Sequence, residues 1–297
     1  MGYPVSLDDK YAATAGRVFL TGTQALVRLP MTQLRRDRAA GLNTGAFISG
    51  YRGSPLGNYD QQLMQARRFL EPAGVVFQPG LNEDLAATAV WGSQQAGLSA
   101  GATKDGVLGI WYGKGPGVDR SGDVLKHANA AGTAAHGGVL AIAGDDHTCK
   151  SSSIPHQSDH AFIAALMPYL YPSTVQEFLE LGLLGIAMSR YSGCWVGYKV
   201  ISETVETTAV IDLAQEERGF VLPEDFELPP GGLNLRWPDP PLEQDARLQE
   251  MKGYAAIAFA RANRVDQTVF DTPGARFGIV ASGKAYEDVL QAFEELG

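Results

Sequence analysis

Short runs of hydrophobic residues alternate along the chain with longer stretches in which hydrophobic and polar positions follow a helical period. The runs are apolar throughout and predict buried strands at residues 46–50, 75–80, 106–113, 137–145 and 194–201. The longer stretches predict helices at residues 58–72, 83–100, 122–135, 157–167 and 173–191. Strands without a polar face need cover on both sides, so the pattern predicts an α/β fold with a doubly wound, mostly parallel sheet.

The pattern changes after residue 221, where a proline-rich stretch predicts an extended linker. A helix is predicted next, over about 243–263, and then a strand in "RFGIVASGKAY" (276–286) and a helix in "EDVLQAFEELG" (287–297). One strand and one helix cannot bury their own apolar faces. We therefore expect a first domain, a linker, and a helix followed by the truncated start of a second α/β domain, over residues 1–221, 222–242 and 243–297.

The net charge of the chain argues against two classes of binding partner. The 297 residues carry 33 acidic and 24 basic side chains, a net charge of −9, with no run of lysine or arginine. We therefore expect no nucleic acid and no membrane surface as a partner. No apolar stretch approaches the ~20 residues of a membrane span. The two cysteines, Cys149 and Cys194, are too far apart in sequence for a CxxC pair or a cluster motif, and we expect a cytoplasmic protein.

Four loops that follow predicted strands are unusually polar or rich in glycine. They read "GYRGSPLG", "QPGLNED", "YGKGPGVDRSGD" and "GDDHTCKSSSIPHQSDH". Ligands of parallel α/β sheets bind in the loops at the carboxyl ends of the strands. These four loops are therefore the best candidate for a functional site.

Common short motifs do not explain the loops. "GIWYGKG" lacks the spacing of a Walker A loop, "GKGPGV" lacks the third glycine of a dinucleotide fingerprint, and "GSPLG" is not a hydrolase elbow. His147, His156 and His160 suggest a metal site, but they flank a serine-rich loop without a known ligand spacing. We favour a polar loop whose side chains bond to one another, and predict no metal.

Taken in order, the loops resemble the pyrimidine-binding domain of the thiamine-diphosphate-dependent 2-oxoacid ferredoxin oxidoreductases. The indolepyruvate group, in the long form that fuses its subunits, is the most similar. "SGYRGSPLG" resembles the family's "YP-x-TP" loop, "GLNEDLAATAVWGSQQAGLSAGA" its glutamate-bearing helix, and "IAGDDHTCKSSSIPHQSDHAF" its "ADDPG-x-HSSQ-x-EQDSR" segment. The resemblance covers roughly Tyr11 to Leu213. The tail "RFGIVASGKAYEDVL" resembles the opening of the family's transketolase C-terminal-like domain.

The resemblance implies a catalytic role for Glu83. In such enzymes a carboxylate bonds to a ring nitrogen of the thiamine pyrimidine, and the cofactor's own amino group then acts as a base. Glu83 starts a predicted helix that Asn82 caps. Without the resemblance, the better interpretation of Glu83 is a first-turn carboxylate that stabilises the helix dipole.

The resemblance also implies contacts for the other loop residues. The cofactor-binding set is Tyr51, Arg52, Gly53, Ser54, Pro55, Glu83, Gly113 and Lys114. Arg52 would pair with the substrate carboxylate, Ser54 would donate a hydrogen bond to the substrate, and His147 would lie near the reacting carbon. The alternatives are a tight turn with a surface arginine, a solvated lysine, and a loop histidine that caps a helix. Phe47, Trp91 and Trp111 are predicted as core.

Parts of the family's machinery are absent from this sequence. No GDG motif for Mg²⁺ and diphosphate occurs, and no cysteine run for a 4Fe–4S cluster. The resemblance thus implies the N-terminal part of an enzyme that converts an aryl 2-oxo acid and CoA to an acyl-CoA and passes electrons to ferredoxin. It implies a partner domain or subunit that binds the diphosphate, an oligomer, and an inactive isolated chain. A transketolase-like enzyme and a non-catalytic assembly subunit remain alternatives.

Overall fold

The computed structural model describes residues 6–297. Its strands, in chain order, are β1 (Arg17–Thr21), β2 (Gly45–Gly50), β3 (Val75–Phe77), β4 (Val107–Lys114), β5 (Val139–Asp145), β6 (Tyr169–Leu170), β7 (Trp195–Ile201) and β8 (Thr208–Asp212). Its helices are α1 (Asp9–Ala12), α2 (Gly22–Ala39), α3 (Tyr59–Gln65), α4 (Arg67–Ala73), α5 (Glu83–Gln94), α6 (Gly115–Arg120), α7 (Gly122–Ala131), α8 (Asp159–Ala164), α9 (Val175–Ser192), α10 (Ser202–Val205), α11 (Pro241–Arg247), α12 (Gly253–Ala262) and α13 (Lys284–Leu296). Two 3₁₀ turns span Ala96–Leu98 and Leu213–Glu217, and a π-helical segment spans Leu248–Lys252.

Six strands form one parallel sheet in the order β3-β2-β4-β5-β7-β6. All five predicted strands of the first domain are present in it, within three residues of their expected ends. The sheet confirms the predicted α/β fold with a mostly parallel sheet. Because every pairing is parallel, the carboxyl ends of the strands meet at one edge, where the four polar loops begin.

Both faces of the sheet are covered, as a sheet of wholly apolar strands requires. Trp111 and Tyr112 are neighbours on β4, and their fully buried side chains enter opposite layers because successive side chains of a strand point to opposite faces. Residues of α2, α3 and α9 pack with Tyr112, and residues of α5, α6 and α7 pack with Trp111. The predicted core position of Trp111 is thus confirmed.

A second, two-stranded sheet was not predicted. Strands β1 and β8 pair antiparallel, with Phe19 opposite Val210. Beside them, Arg28 of α2 and Glu216 form a buried ion pair, with Arg28 Nε 2.5 Å from Glu216 Oε1. The partners are 191 residues apart in the Phe19–Val210 pair and 188 apart in the ion pair, so no local pattern indicates either contact.

Several predicted helices were wrong at their ends. Residues 58–72 form two helices that meet at Ala66 rather than one, and the helix predicted over 83–100 ends at Gln94. Helix α8 covers only six residues of the predicted 157–167. Helix α6 was missed, because "GPGVDR" contains a proline and two glycines and reads as a loop.

The strand predicted within 276–286 is wrong. These residues contain no strand up to the start of α13, and Phe277, Ile279 and Val280 are exposed. A strand forms only when its backbone bonds to a neighbouring strand, and none lies beside this segment among residues 6–297. The predicted helix is confirmed as α13, although it begins at Lys284.

The predicted linker, residues 222–242, contains no strand, and its only helical residues are the first two of α11. It lies along the first domain, where Leu233 is fully buried and Leu235 N donates to the carbonyl oxygen of Thr133. The helix predicted over 243–263 is confirmed as a continuous helical stretch from α11 through the π-helical segment to α12. No helix among the described residues is long and apolar enough to cross a membrane.

Candidate functional site

Glu83 is held at the carboxyl edge of the sheet by its backbone. Strand β3 ends at Phe77, and a five-residue loop leads to α5, whose N-cap is Asn82. The Asn82 side chain accepts a hydrogen bond from Leu85 N at 2.9 Å, which confirms the predicted cap. The indole Nε1 of the fully buried Trp111 donates to the carbonyl oxygen of Glu83 at 2.9 Å. The start of α5 is therefore tied to the centre of the sheet.

The Glu83 side chain packs closely on Gly117 of α6 and lies near Gly113 of β4. A Cβ atom built at Gly113 would lie 3.6 Å from Glu83 Cγ, and one built at Gly117 would lie 2.5 Å from it. The side chain is 18% exposed, so its carboxyl group is mostly covered but reachable from outside. Its nearest cation is Arg120, whose Nε lies 3.9 Å from Glu83 Oε2.

Arg120 is bonded more closely to the next residue. Its Nε lies 2.9 Å from Asp84 Oδ1. The hydrogen bond from Arg120 lowers the pKa of Asp84 from its ordinary value, and the same bond raises the pKa of Arg120. The charge of Arg120 is thus balanced mainly by Asp84, and no cation among residues 6–297 donates a hydrogen bond to the Glu83 carboxylate.

The loop after β2 begins where the β2 backbone lies close to that of β4. A Cβ at Gly50 would overlap the carbonyl oxygen of Tyr112, and Tyr51 N donates to that oxygen at 3.0 Å. Tyr51 and Arg52 are exposed, and Arg52 makes no ion pair within residues 6–297. Pro55 is buried against Gly144 of β5. The loop therefore presents Tyr51 and Arg52 outward on a fixed base.

Lys114 ends β4 and joins two loops. A Cβ at Gly53 would lie 3.0 Å from Lys114 Cβ, so the first loop packs on the lysine stem. Lys114 Nζ donates to the Ser151 carbonyl oxygen and to Ser151 Oγ, each at 2.8 Å, and lies 3.4 Å from Asp146 Oδ2. Burial opposes ionisation of Asp146, but backbone N–H donors and Lys114 hold its pKa below the ordinary value. The ammonium of Lys114 is therefore engaged by the fourth loop.

The fourth loop carries a hydrogen-bonded polar network, which confirms the polar loop that the sequence predicted here. Asp145, fully buried at the end of β5, accepts hydrogen bonds from Ser158 N at 2.8 Å and from Ser158 Oγ at 2.6 Å. Lys199 of β7 lies 3.6 Å from Asp145 Oδ2 and 2.7 Å from Asp159 Oδ2. Buried carboxylates need such partners, so the network fixes the loop. The sequence did not indicate the part that Lys199 plays, because Lys199 lies on β7, about 40 residues beyond the loop.

The structure brings together two subsets of the predicted residues. Glu83 lies beside Gly113, and Gly53 lies beside Lys114, so the two pairs meet at consecutive positions of β4. His147 is exposed and contacts neither pair through a hydrogen bond among the described residues. Within residues 6–297, no three His, Cys, Asp or Glu side chains are grouped closely enough to hold a metal ion.

The fold and site together define an α/β domain whose glycine-rich loops surround one partly covered glutamate. No family model matches the chain. The chain is similar to the indolepyruvate oxidoreductase subunit IorA of Methanothermobacter marburgensis, with 24% identity over 99% of the chain, and to that of Methanothermobacter thermautotrophicus, with 25% identity over 99%. The predicted resemblance is thereby confirmed. The chain spans 43% of the length of each of these relatives.

A solved structure has the same fold. It is the 2-oxoglutarate:ferredoxin oxidoreductase from Magnetococcus marinus with 2-oxoglutarate, coenzyme A and succinyl-CoA bound. The TM-score is 0.60 at 15% identity, and the match covers 94% of this chain and 51% of that one. The likeness supports the predicted thiamine-diphosphate pyrimidine-binding type of fold.

Proposed function

We propose that this chain is the pyrimidine-binding part of a thiamine-diphosphate-dependent oxidoreductase that acts on an aryl 2-oxo acid of the indolepyruvate type. The position of Glu83 carries the proposal. It is an acidic side chain at the carboxyl edge of a parallel sheet, mostly covered but reachable from outside. No cation in the described part of the chain donates a hydrogen bond to it. Similarity to indolepyruvate oxidoreductase subunits over nearly the whole chain supports the same conclusion.

The residues present fit one half of the cofactor. The Glu83 carboxyl suits the pyrimidine ring of the cofactor, because it is partly exposed and could bond to a ring nitrogen. Glu83 would hold the proton shared with that nitrogen. The sequence has no GDG motif for Mg²⁺ and diphosphate, so a second domain or subunit would bind that half. When bound, thiamine diphosphate supplies the electron sink for decarboxylation of a 2-oxo acid.

The first loop would bind the substrate. Arg52 is exposed beside the site and has no carboxylate partner within residues 6–297, so its guanidinium is available to a 2-oxo acid carboxylate. Ser54 would donate a hydrogen bond to the substrate, while Tyr51, Gly53 and Pro55 would shape the wall next to the cofactor. Lys114 would act mainly by joining this loop to the fourth loop, since its ammonium is already bonded there.

The remaining chemistry would belong to the rest of the enzyme. A chain that spans 43% of its relatives needs further regions for the diphosphate, Mg²⁺, a 4Fe–4S cluster and ferredoxin, and for CoA. We propose that the isolated chain is inactive and that the working enzyme is an oligomer. The exposed segment 276–280 and α13 would form the start of the transketolase C-terminal-like domain.

The test is Glu83→Gln in the complete enzyme, assembled with the diphosphate-binding region and supplied with thiamine diphosphate, Mg²⁺, CoA and an arylpyruvate. Reduction of a viologen dye should fall at least ~10²-fold, because amide cannot supply the shared proton. Glu71→Gln, on the exposed part of α4, is the matched control and should keep full activity.

Wild-type rates from Glu83→Gln would remove Glu83 from the mechanism. Carboligation without dye reduction would indicate a transketolase-like enzyme, and no turnover in any assembly a non-catalytic subunit.

A further inference from the structure

Two of the three glycines of "GKGPG", Gly115 and Gly117, pack against side chains from other segments. Both lie on α6, the six-residue helix that follows β4 directly. A Cβ at Gly115 would overlap the imidazole ring of His156. A Cβ at Gly117 would lie 2.5 Å from Glu83 Cγ and 2.9 Å from Glu83 Oε1, closer than real Cβ contacts. Gly115 and Gly117 do not belong to a dinucleotide fingerprint. They instead allow His156 and Glu83 to pack closely on α6.

Helix α6 is held from both sides, so it cannot easily move away from Glu83. On one side, Asp119 Oδ2 lies 2.7 Å from His156 Nε2. On the other, Arg120 binds Asp84, at the start of α5. Val118 is fully buried in the same layer as Trp111. A larger residue at 117 would therefore displace the Glu83 side chain rather than the helix.

We propose that Gly117 is a positioning residue that sets where the Glu83 carboxyl lies. With only a hydrogen at position 117, the Glu83 side chain can lie flat on the α6 backbone at the edge of β4. A methyl group there would force it into another rotamer and move the carboxyl from the place where it meets its ligand. The proposal rests on the proposed role of Glu83, and it assigns to α6 a function that the sequence motif did not indicate.

The chain offers a matched control. Gly122 is the first residue of α7, and a Cβ there would meet no atom within 4 Å. Gly122→Ala should therefore leave the position of the Glu83 carboxyl unchanged, whereas Gly117→Ala should move that carboxyl. A first measurement uses the 297-residue chain alone: the ¹³C resonance of the Glu83 carboxyl, assigned by its loss in Glu83→Gln. We expect this resonance to shift in Gly117→Ala and to stay in place in Gly122→Ala.

A second measurement uses the complete enzyme in a double-mutant cycle. Gly117→Ala should lower dye reduction at least ~10-fold, because small misplacement of a catalytic group is costly. In an enzyme that already carries Glu83→Gln, Gly117→Ala should not lower dye reduction further, because its effect depends on Glu83. Thermal unfolding of every variant controls for stability.

The outcomes separate the two hypotheses. If Glu83→Gln keeps full activity, the proposed function fails. If Glu83→Gln is inactive but Gly117→Ala leaves both the resonance and the rate unchanged, only the positioning role fails. Gly117→Ala could also lower dye reduction by the same factor in the wild-type enzyme and in Glu83→Gln. That result would overturn the positioning role and indicate a general structural effect.

Discussion

Single residues in this chain derive their roles from contacts that sequence spacing does not show. Asn82 and Glu83 could be recognised, because a cap and a first-turn carboxylate are local features. The cap is confirmed, and the catalytic role of Glu83 stays a prediction. Gly117 and Arg120 could not be recognised, since they lie more than 30 residues further along and reach Glu83 only because β4 brings α6 beside α5.

The proposed substrate contact is tested at Arg52. We expect Arg52→Ala to raise the KM for an arylpyruvate roughly 10- to 100-fold in the complete enzyme, with a smaller change in kcat. The reason is the loss of a hydrogen bond between two charged groups, about 1.5–3 kcal/mol. Arg52→Lys should recover part of the affinity because it restores charge but not the two-pronged geometry.

Arg17→Ala is the control for that prediction, since Arg17 is an exposed arginine on the separate β1–β8 sheet. It should leave KM unchanged. An Arg52→Ala enzyme with wild-type KM would assign the substrate carboxylate to another residue.

At the level of elements, a buried lysine joins the C-terminal helices to the sheet domain. Lys252 of the π-helical segment is fully buried, and its Nζ donates to the carbonyl oxygens of Asn129 at 3.0 Å and Ala130 at 2.8 Å. These carbonyls end α7, where no intrahelical donor remains. Burial lowers the pKa of Lys252 to about 8. The sequence predicted helices here but not their attachment.

This attachment predicts a pH effect on stability. Between about pH 8 and 10.5, the unfolded chain binds a proton at Lys252 that the folded chain does not, so the free energy of unfolding should rise with pH in this window. The gain from pH 8 to pH 10 should be about 2 kcal/mol relative to Lys252→Met. Urea titrations of wild type and Lys252→Met measure the free energy of unfolding at each pH. Subtracting one curve from the other removes the effect of the buried tyrosines, which both proteins share.

Lys126 is an exposed lysine of α7 and serves as the control, so Lys126→Met should show the same pH dependence as wild type. Parallel curves for wild type and Lys252→Met would contradict the buried, deprotonated lysine.

At the level of the whole molecule, the α/β domain and the C-terminal tail differ in how much of their apolar surface is buried. The sheet strands β4, β5 and β7 are almost wholly buried, whereas α13 buries no residue fully and residues 271–280 are exposed. Segments with few buried contacts open at low free energy. The tail is therefore the part of the molecule that proteases should reach first.

Limited trypsin digestion tests this difference. The first cut of the isolated chain should follow Arg276, giving a stable product of residues 1–276 by mass spectrometry. In the complete enzyme, the proposed second domain should slow this cut at least ~10-fold, because its sheet would cover the segment. First cleavage at Lys114, Lys199 or Lys252, whose side chains are buried or mostly buried, would contradict the described packing. An equal rate at Arg276 in both proteins would contradict the proposed second domain.

The sequence by itself determined the sheet class, five of its strands and the edge at which the four polar loops begin, because apolar runs, helical periods and caps are properties of neighbouring residues. Tertiary structure alone decided the β1–β8 pairing, the attachment of Lys252 to α7, and the meeting of Glu83 with Gly117 on α6. It also decided that residues 276–286 form no strand, although their pattern favours one. The physical reason is the same in each case: pairing, burial and close approach depend on which distant segment lies alongside, and only the folded chain supplies that neighbour.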